Sequence, residues 1–124
     1  MIRFIEFFTI IHVILGCGPV TGPLLPAMVA LFTDENFDAA KTAYYKSLAT
    51  DLMKNVFSKY GLPYIEGWAQ ITPRNDGGMV TIDVKISSVD CGQLHQLVTL
   101  LKNEIFLIEY AGYRCGSNPI VYVR

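Results

Sequence analysis

The sequence predicts an α+β domain in which two amphipathic helices cover one face of an antiparallel sheet. Three observations carry this. Apolar residues recur at helical spacing across residues 38–60, apolar and polar residues alternate strictly across 79–86, and a second helical stripe runs through Leu94, Leu97, Val98 and Leu101. An alternating strand and a striped helix each have one side to bury, and setting both helices on the same side of the sheet buries all of them together. The expected order is strand, helix, strand, strand, helix, strand, the split βαβ or ferredoxin-like arrangement βαββαβ.

Taken in order, residues 28–33 are a short apolar run and form the first expected strand. Asp34 or Asn36 is placed to cap the helix that follows. That helix carries Ala40, Tyr44, Tyr45, Leu48, Leu52, Val56 and Tyr60 on one stripe, widened by Met53 and Phe57, and Gly61 and Pro63 end it. Residues 64–72 read as a second strand, and Pro73-Arg74-Asn75-Asp76-Gly77-Gly78 as a turn. In the third strand Val80, Ile82, Val84 and Ile86 point one way, and Thr81, Asp83 and Lys85 the other. Asp90 is placed to cap the second helix. Its period can run on through Ile108, so residues 106–110 fit helix or strand alike, and 120–123 is the last expected strand.

The 124 residues suit one domain and carry a net charge of −1, which offers no cationic surplus for a nucleic-acid backbone. The hydrophobic fraction of 52% is concentrated in part near the N-terminus. There Arg3 precedes an apolar run over 4–15, then Gly16, Cys17, Gly18 and Pro19, the layout of an export signal. The run is shorter than the roughly 20 residues a membrane-spanning helix needs. Residues 1–22 are therefore expected to be a signal peptide and 23–124 the domain, with no stable transmembrane span. Ile14-Leu15-Gly16-Cys17 also resembles a bacterial lipoprotein box, with Cys17 as the lipid-bearing residue.

Loss of Cys17 with the signal would leave Cys91 and Cys115, an even pair that points to a disulfide in an exported domain. Two histidines and no CxxC spacing give no zinc site, and no metal or cofactor is expected. His95 lies one helical turn from Cys91, but a Cys–His enzyme also needs an orienting group and a pocket. Alternation over 64–72 sets Trp68 out of phase with Ile65 and Ile71. Trp68 is then either an outward binding anchor or is covered by a helix or the N-terminal segment.

Several stretches resemble the SEA domain, an extracellular module of a sperm protein, enterokinase, agrin and membrane mucins. These are Phe32-Thr33-Asp34-Glu35-Asn36-Phe37, Ala43-Tyr44-Tyr45-Lys46-Ser47-Leu48-Ala49, and residues 71–84 with Arg74, the glycine pair and Val80-Thr81-Ile82-Asp83-Val84. The resemblance covers about half of the chain. It implies an extracellular module that, in many members, cuts its own backbone when a serine attacks the preceding glycine carbonyl. Gly78 matches the glycine, but Met79 stands where the serine would be, so a non-cleaving variant is implied.

The expected function is a secreted or cell-surface structural or interaction module, not an enzyme, that binds an extracellular protein or glycan. The alternatives are a small exported ligand binder, a lipoprotein anchored at Cys17, and a small hydrolase. The acidic Asp34-Glu35-Asn36 occupies the place where a ferredoxin-like phosphatase would hold its phosphate cradle, which disfavours the hydrolase.

Overall fold

The computed structural model describes residues 24–61, 63–105 and 107–124. The expected signal peptide, with His12 and Cys17, lies outside the described residues. Within them the chain runs β1 (Leu24–Asn36), a single 3-10 turn (Ala39–Lys41), α1 (Thr42–Lys59), β2 (Ala69–Asp76), β3 (Met79–Asp90), α2 (Cys91–Glu104), β4 (Ile108–Cys115) and β5 (Val121–Val123).

The five strands form one antiparallel sheet in the order β2-β3-β1-β4-β5. β1 is thus central, with Val29 opposite Val84 on one side and Tyr113 on the other. It starts earlier and ends later than its apolar run, because β3 is long enough to pair with both of its ends, Leu24 with Asp90 and Asn36 with Met79. Residues 108–115 are strand, not a continuation of α2, and 121–123 add a fifth strand at the edge.

The helices cover one side. Tyr45, Ala49, Met53, Val56 and Phe57 of α1 and Leu94, Leu97, Val98 and Leu101 of α2 are buried. They share one core with Val29 and Leu31 of β1, with the Val80, Ile82, Val84, Ile86 series of β3, and with Ala111. Burial of a Leu, Ile, Val or Phe side chain contributes about 1.5–3 kcal/mol, and these facing stripes make the largest apolar contribution to the fold. The helix caps divide. Asp90 Oδ1 accepts from Gly92 N (2.9 Å), as expected. For the first helix, neither Asp34 nor Asn36 is the cap, because β1 extends through both. Asp38 Oδ1 accepts from Ala40 N instead (3.0 Å).

β2 begins only at Ala69, and its strand continues through Pro73 to Asp76. The turn is two residues, Gly77 and Gly78, both at positive φ (62° and 94°). Such a turn matches the right-handed twist of its strands and needs left-handed backbone at both positions, which only glycine adopts freely. Proline is tolerated in β2 because β2 is an edge strand.

A bare aromatic face and a disulfide-tied helix

On the side of the sheet opposite the helices, the outward residues are Met28, Ala30 and Phe32 of β1, Tyr110, Gly112 and Arg114 of β4, and Tyr122 of β5, flanked by Ile120 and Arg124. Register sets the pairs: Phe32 faces Tyr110, Ala30 faces Gly112, Met28 faces Arg114, and Gly112 faces Tyr122. The Phe32 and Tyr110 rings stack with centroids 4.5 Å apart and planes 12° from parallel. The Arg124 guanidinium lies 4.9 Å from the Tyr110 centroid, and Tyr122 lies 6.5 Å from it, centroid to centroid. The result is a ladder of Phe32, Tyr110 and Arg124 standing across three strands. Aromatic pairs and cation–π contacts of this kind each contribute about 0.5–1.5 kcal/mol.

Beside the ladder the pairing of Ala30 with Gly112 leaves little side chain, and a shallow depression of about 320 Å³ forms between Met28, Ile120, Tyr122 and Arg74. Gly112 lets the Tyr122 ring lie close: a Cβ there would sit 3.0 Å from Tyr122 Cε1, and the ring would have to give by a few tenths of an ångström. Met28, Ile120 and Tyr122 remain 47%, 55% and 53% exposed. Arg74 is neutralised by Asp83 (Nε–Oδ2 2.7 Å), whereas Lys85 and Arg114 take part in no ion pair among the described residues. Thr81 is buried although it points to this side, because Phe32 and Arg74 flank it in register.

Cys91, the first residue of α2, is bonded to Cys115, the last residue of β4, with Cα atoms 5.7 Å apart. His95, one turn along α2, places Nδ1 3.0 Å from Tyr113 Oη. Burial holds the Tyr113 hydroxyl above the usual tyrosine range.

Trp68 is not an outward anchor. It precedes β2 within a turn, is only 7% exposed, packs near Phe57 (6.3 Å) and donates its indole N–H to Ser88 O (3.0 Å). Strict alternation does not apply to it because residues 66–68 are not strand. Gly77 and Gly78 form the hairpin turn that follows Asp76, in which Gly78 N–H donates to Asn75 Oδ1 (2.8 Å) and Gly78 O accepts from Phe37 N–H (2.9 Å). Tyr45 is buried and Tyr44 is 59% exposed. Among the described residues no cluster of three or more His, Cys, Asp or Glu could hold a metal ion, and no helix is long and apolar enough to cross a membrane.

Sequence reasoning did not find the aromatic ladder. Its signal is the spacing of Tyr110, Gly112 and Arg114, and of Ile120, Tyr122 and Arg124, at every second position. That spacing becomes meaningful once 108–115 is known to be strand.

A small α+β domain with one helix-covered face, one bare aromatic face and a disulfide fits the class of extracellular modules, since such bonds persist in oxidising compartments. The family model described as secreted clade V proteins matches residues 27–122, from the centre of β1 to β5. The chain belongs to that family, and the protein is secreted. No curated protein and no solved structure matches it.

Proposed function

We propose that the protein is a secreted, non-enzymatic interaction module that binds an acidic surface of an extracellular protein through its bare sheet face, with residues 1–22 serving as the export signal. The observation that carries this reading is the Phe32–Tyr110–Arg124 ladder beside exposed Met28, Ile120 and Tyr122. Tyrosine, methionine and arginine are the residue types enriched in the buried centre of protein interfaces. Lys85 and Arg114, unpaired among the described residues, supply the positive charge that an acidic partner would meet. A glycan is the weaker fit. A sugar ring stacks on an open aromatic face, and the facing sides of Phe32 and Tyr110 are turned to each other, while Arg124 sits over Tyr110.

Three observations support a non-catalytic role. Cys91, whose thiol lies one helical turn from His95, is in a disulfide; the Thr99 hydroxyl, one turn further on, donates to His95 O; and the His95 ring meets Tyr113 instead. A ferredoxin-like βαββαβ unit extended by β5 at one edge is the topology we favour, supported by the placement of β1 and β3 between β2 and β4. The SEA-like reading belongs to this proposal as a non-cleaving variant. It is supported by the glycine turn and by Met79, whose thioether offers no hydroxyl to attack the Gly78 carbonyl.

The test is a binding screen of the purified protein against recombinant extracellular domains, repeated with Tyr122→Ala and with Lys46→Glu on the helix side. The expected binder weakens on the order of thirtyfold with Tyr122→Ala, the loss of one interface anchor worth about 2 kcal/mol. It also weakens with added salt and ignores Lys46→Glu. A binder sensitive to Lys46→Glu and indifferent to Tyr122→Ala, or binding confined to glycans, would overturn the reading.

A further inference from the structure

Ala30, in the middle of the bare face, is the floor of a seat with four walls. Met28 and Phe32 stand two residues to either side of it on β1, each about 7 Å away along the strand. Across the sheet, Ala30 pairs with Gly112 of β4 and with Asp83 of β3. Gly112 has no side chain, so the Tyr122 ring leans over it and closes that side. Opposite, Asp83 Oδ2 holds Arg74 Nε at 2.7 Å, which sets the Arg74 guanidinium as the fourth wall. The space between the walls is about 320 Å³, whereas a cavity of about 150 Å³ suffices for a benzene ring.

These walls suit a flat ring. Phe32 and Tyr122 offer aromatic contacts, and a guanidinium stacks on an aromatic face. Two of them are also held in advance, Phe32 by its stack on Tyr110 and Arg74 by Asp83, so little order is lost when the seat is filled.

The next row along β1 adds charge. Register sets Gln70, Lys85, Met28 and Arg114 side by side across four strands, a row with two cations and no acid. Lys85 and Arg114 flank Met28, one strand to either side, and neither takes part in an ion pair among the described residues. A carboxylate arriving over Met28 meets both. An extended chain presents same-side residues about 7 Å apart, which is the step from the Ala30 row to the Met28 row.

We infer that the sheet face captures an extended segment of its protein partner by an aromatic side chain seated on Ala30 and an aspartate or glutamate two residues away, held between Lys85 and Arg114. This rests on the sheet-face reading above and specifies what the partner presents.

The test is a titration of the full secreted protein with capped tripeptides, followed by the NMR signals of the Ala30 and Met28 methyl groups. The probes are tryptophan-glycine-glutamate in both orders, with the tryptophan replaced by alanine and, separately, the glutamate by lysine. One order of the parent tripeptide is expected to bind saturably, on the order of tenfold more tightly than its alanine version. It should bind about threefold more tightly than its lysine version, as partly exposed charges allow. Ala30→Leu, which fills the seat from the half-exposed side of the strand, is expected to abolish binding while circular dichroism stays unchanged. Arg114→Glu, at an exposed position, is expected to erase the preference for glutamate over lysine. No saturable shift, an alanine version that binds as tightly, binding that survives Ala30→Leu, or a preference that survives Arg114→Glu would overturn the inference. Tripeptide failure beside a protein binder that weakens with Tyr122→Ala would sink this inference and leave the sheet-face reading standing. Tripeptide binding beside a protein binder indifferent to Tyr122→Ala would do the reverse.

Discussion

Lys59 Nζ lies 2.7 Å from Glu104 Oε1, which joins the last turn of α1 to the last turn of α2. Tyr60 Oη donates to the other carboxylate oxygen at 2.6 Å, so one carboxyl group receives two donors from the neighbouring helix end. The hydrogen bond from Lys59 and then that from Tyr60 hold the Glu104 carboxyl below its ordinary value of 4.5.

The sign of the pH effect follows. A depressed carboxylate contributes stability above its unfolded value, and that contribution is lost as pH falls through the folded value. We expect Glu104→Gln to lower the thermal midpoint at neutral pH. The variant and parent curves should converge as the solution is acidified below the ordinary glutamate range. Thermal melts across that range check this, and a constant gap between the curves would contradict it.

Removal of the disulfide is expected to cost about 3 kcal/mol, because it releases a closed loop of moderate length in the unfolded chain. The bond joins residues 24 positions apart. Urea unfolding of the Cys91→Ser, Cys115→Ser double variant beside the parent measures the loss.

Trp68 is the one tryptophan of the chain. Trp68→Phe keeps most of the buried ring but strands the Ser88 carbonyl, at a cost of about 1–3 kcal/mol. Trp68→Ala should cost about 3–5 kcal/mol, because it also opens a cavity beside Phe57. Circular dichroism during urea unfolding reads both, since tryptophan fluorescence is lost in each variant.

Gly78→Ala is expected to cost about 1–2 kcal/mol for placing a Cβ in left-handed backbone, while Gly77→Asn should cost less. The parent protein should give one unbroken mass across the 78–79 bond, and two fragments divided there would end the non-cleaving proposal.

The helices and β3 were legible because each repeats one pattern over many residues. The α1 stripe from Tyr45 to Phe57 and the alternation from Val80 to Ile86 leave a single way to face a core. The disulfide was legible from the parity of the cysteines. β4 was not, because Ile105 and Ile108 continue the period of α2, and only pairing with β1 makes 108–115 a strand. The start of β2 was obscured in the same way: Ile65 and Trp68 look like strand residues, but the chain turns at 66–68 first. The aromatic face was hidden for a different reason. Phe32, Tyr110 and Tyr122 are far apart in sequence, and register alone brings them together.

Pro73 has a consequence for how the molecule behaves in a crowded secretion. In the β2–β3 hairpin the pair closing the two-residue turn, Asp76 and Met79, is hydrogen-bonded, and bonded and unbonded pairs then alternate. Pro73, opposite Ile82, falls on an unbonded pair, so its ring nitrogen faces outward from the sheet. That margin therefore lacks a donor in its middle, and the far margin, β5, is only three residues long. Neither rim offers a long template on which foreign chains could zip up into fibrils. A protein that must persist outside the cell can thus keep greasy, sticky residues on one flat side, where attachment is selective, while its borders resist indiscriminate polymerisation.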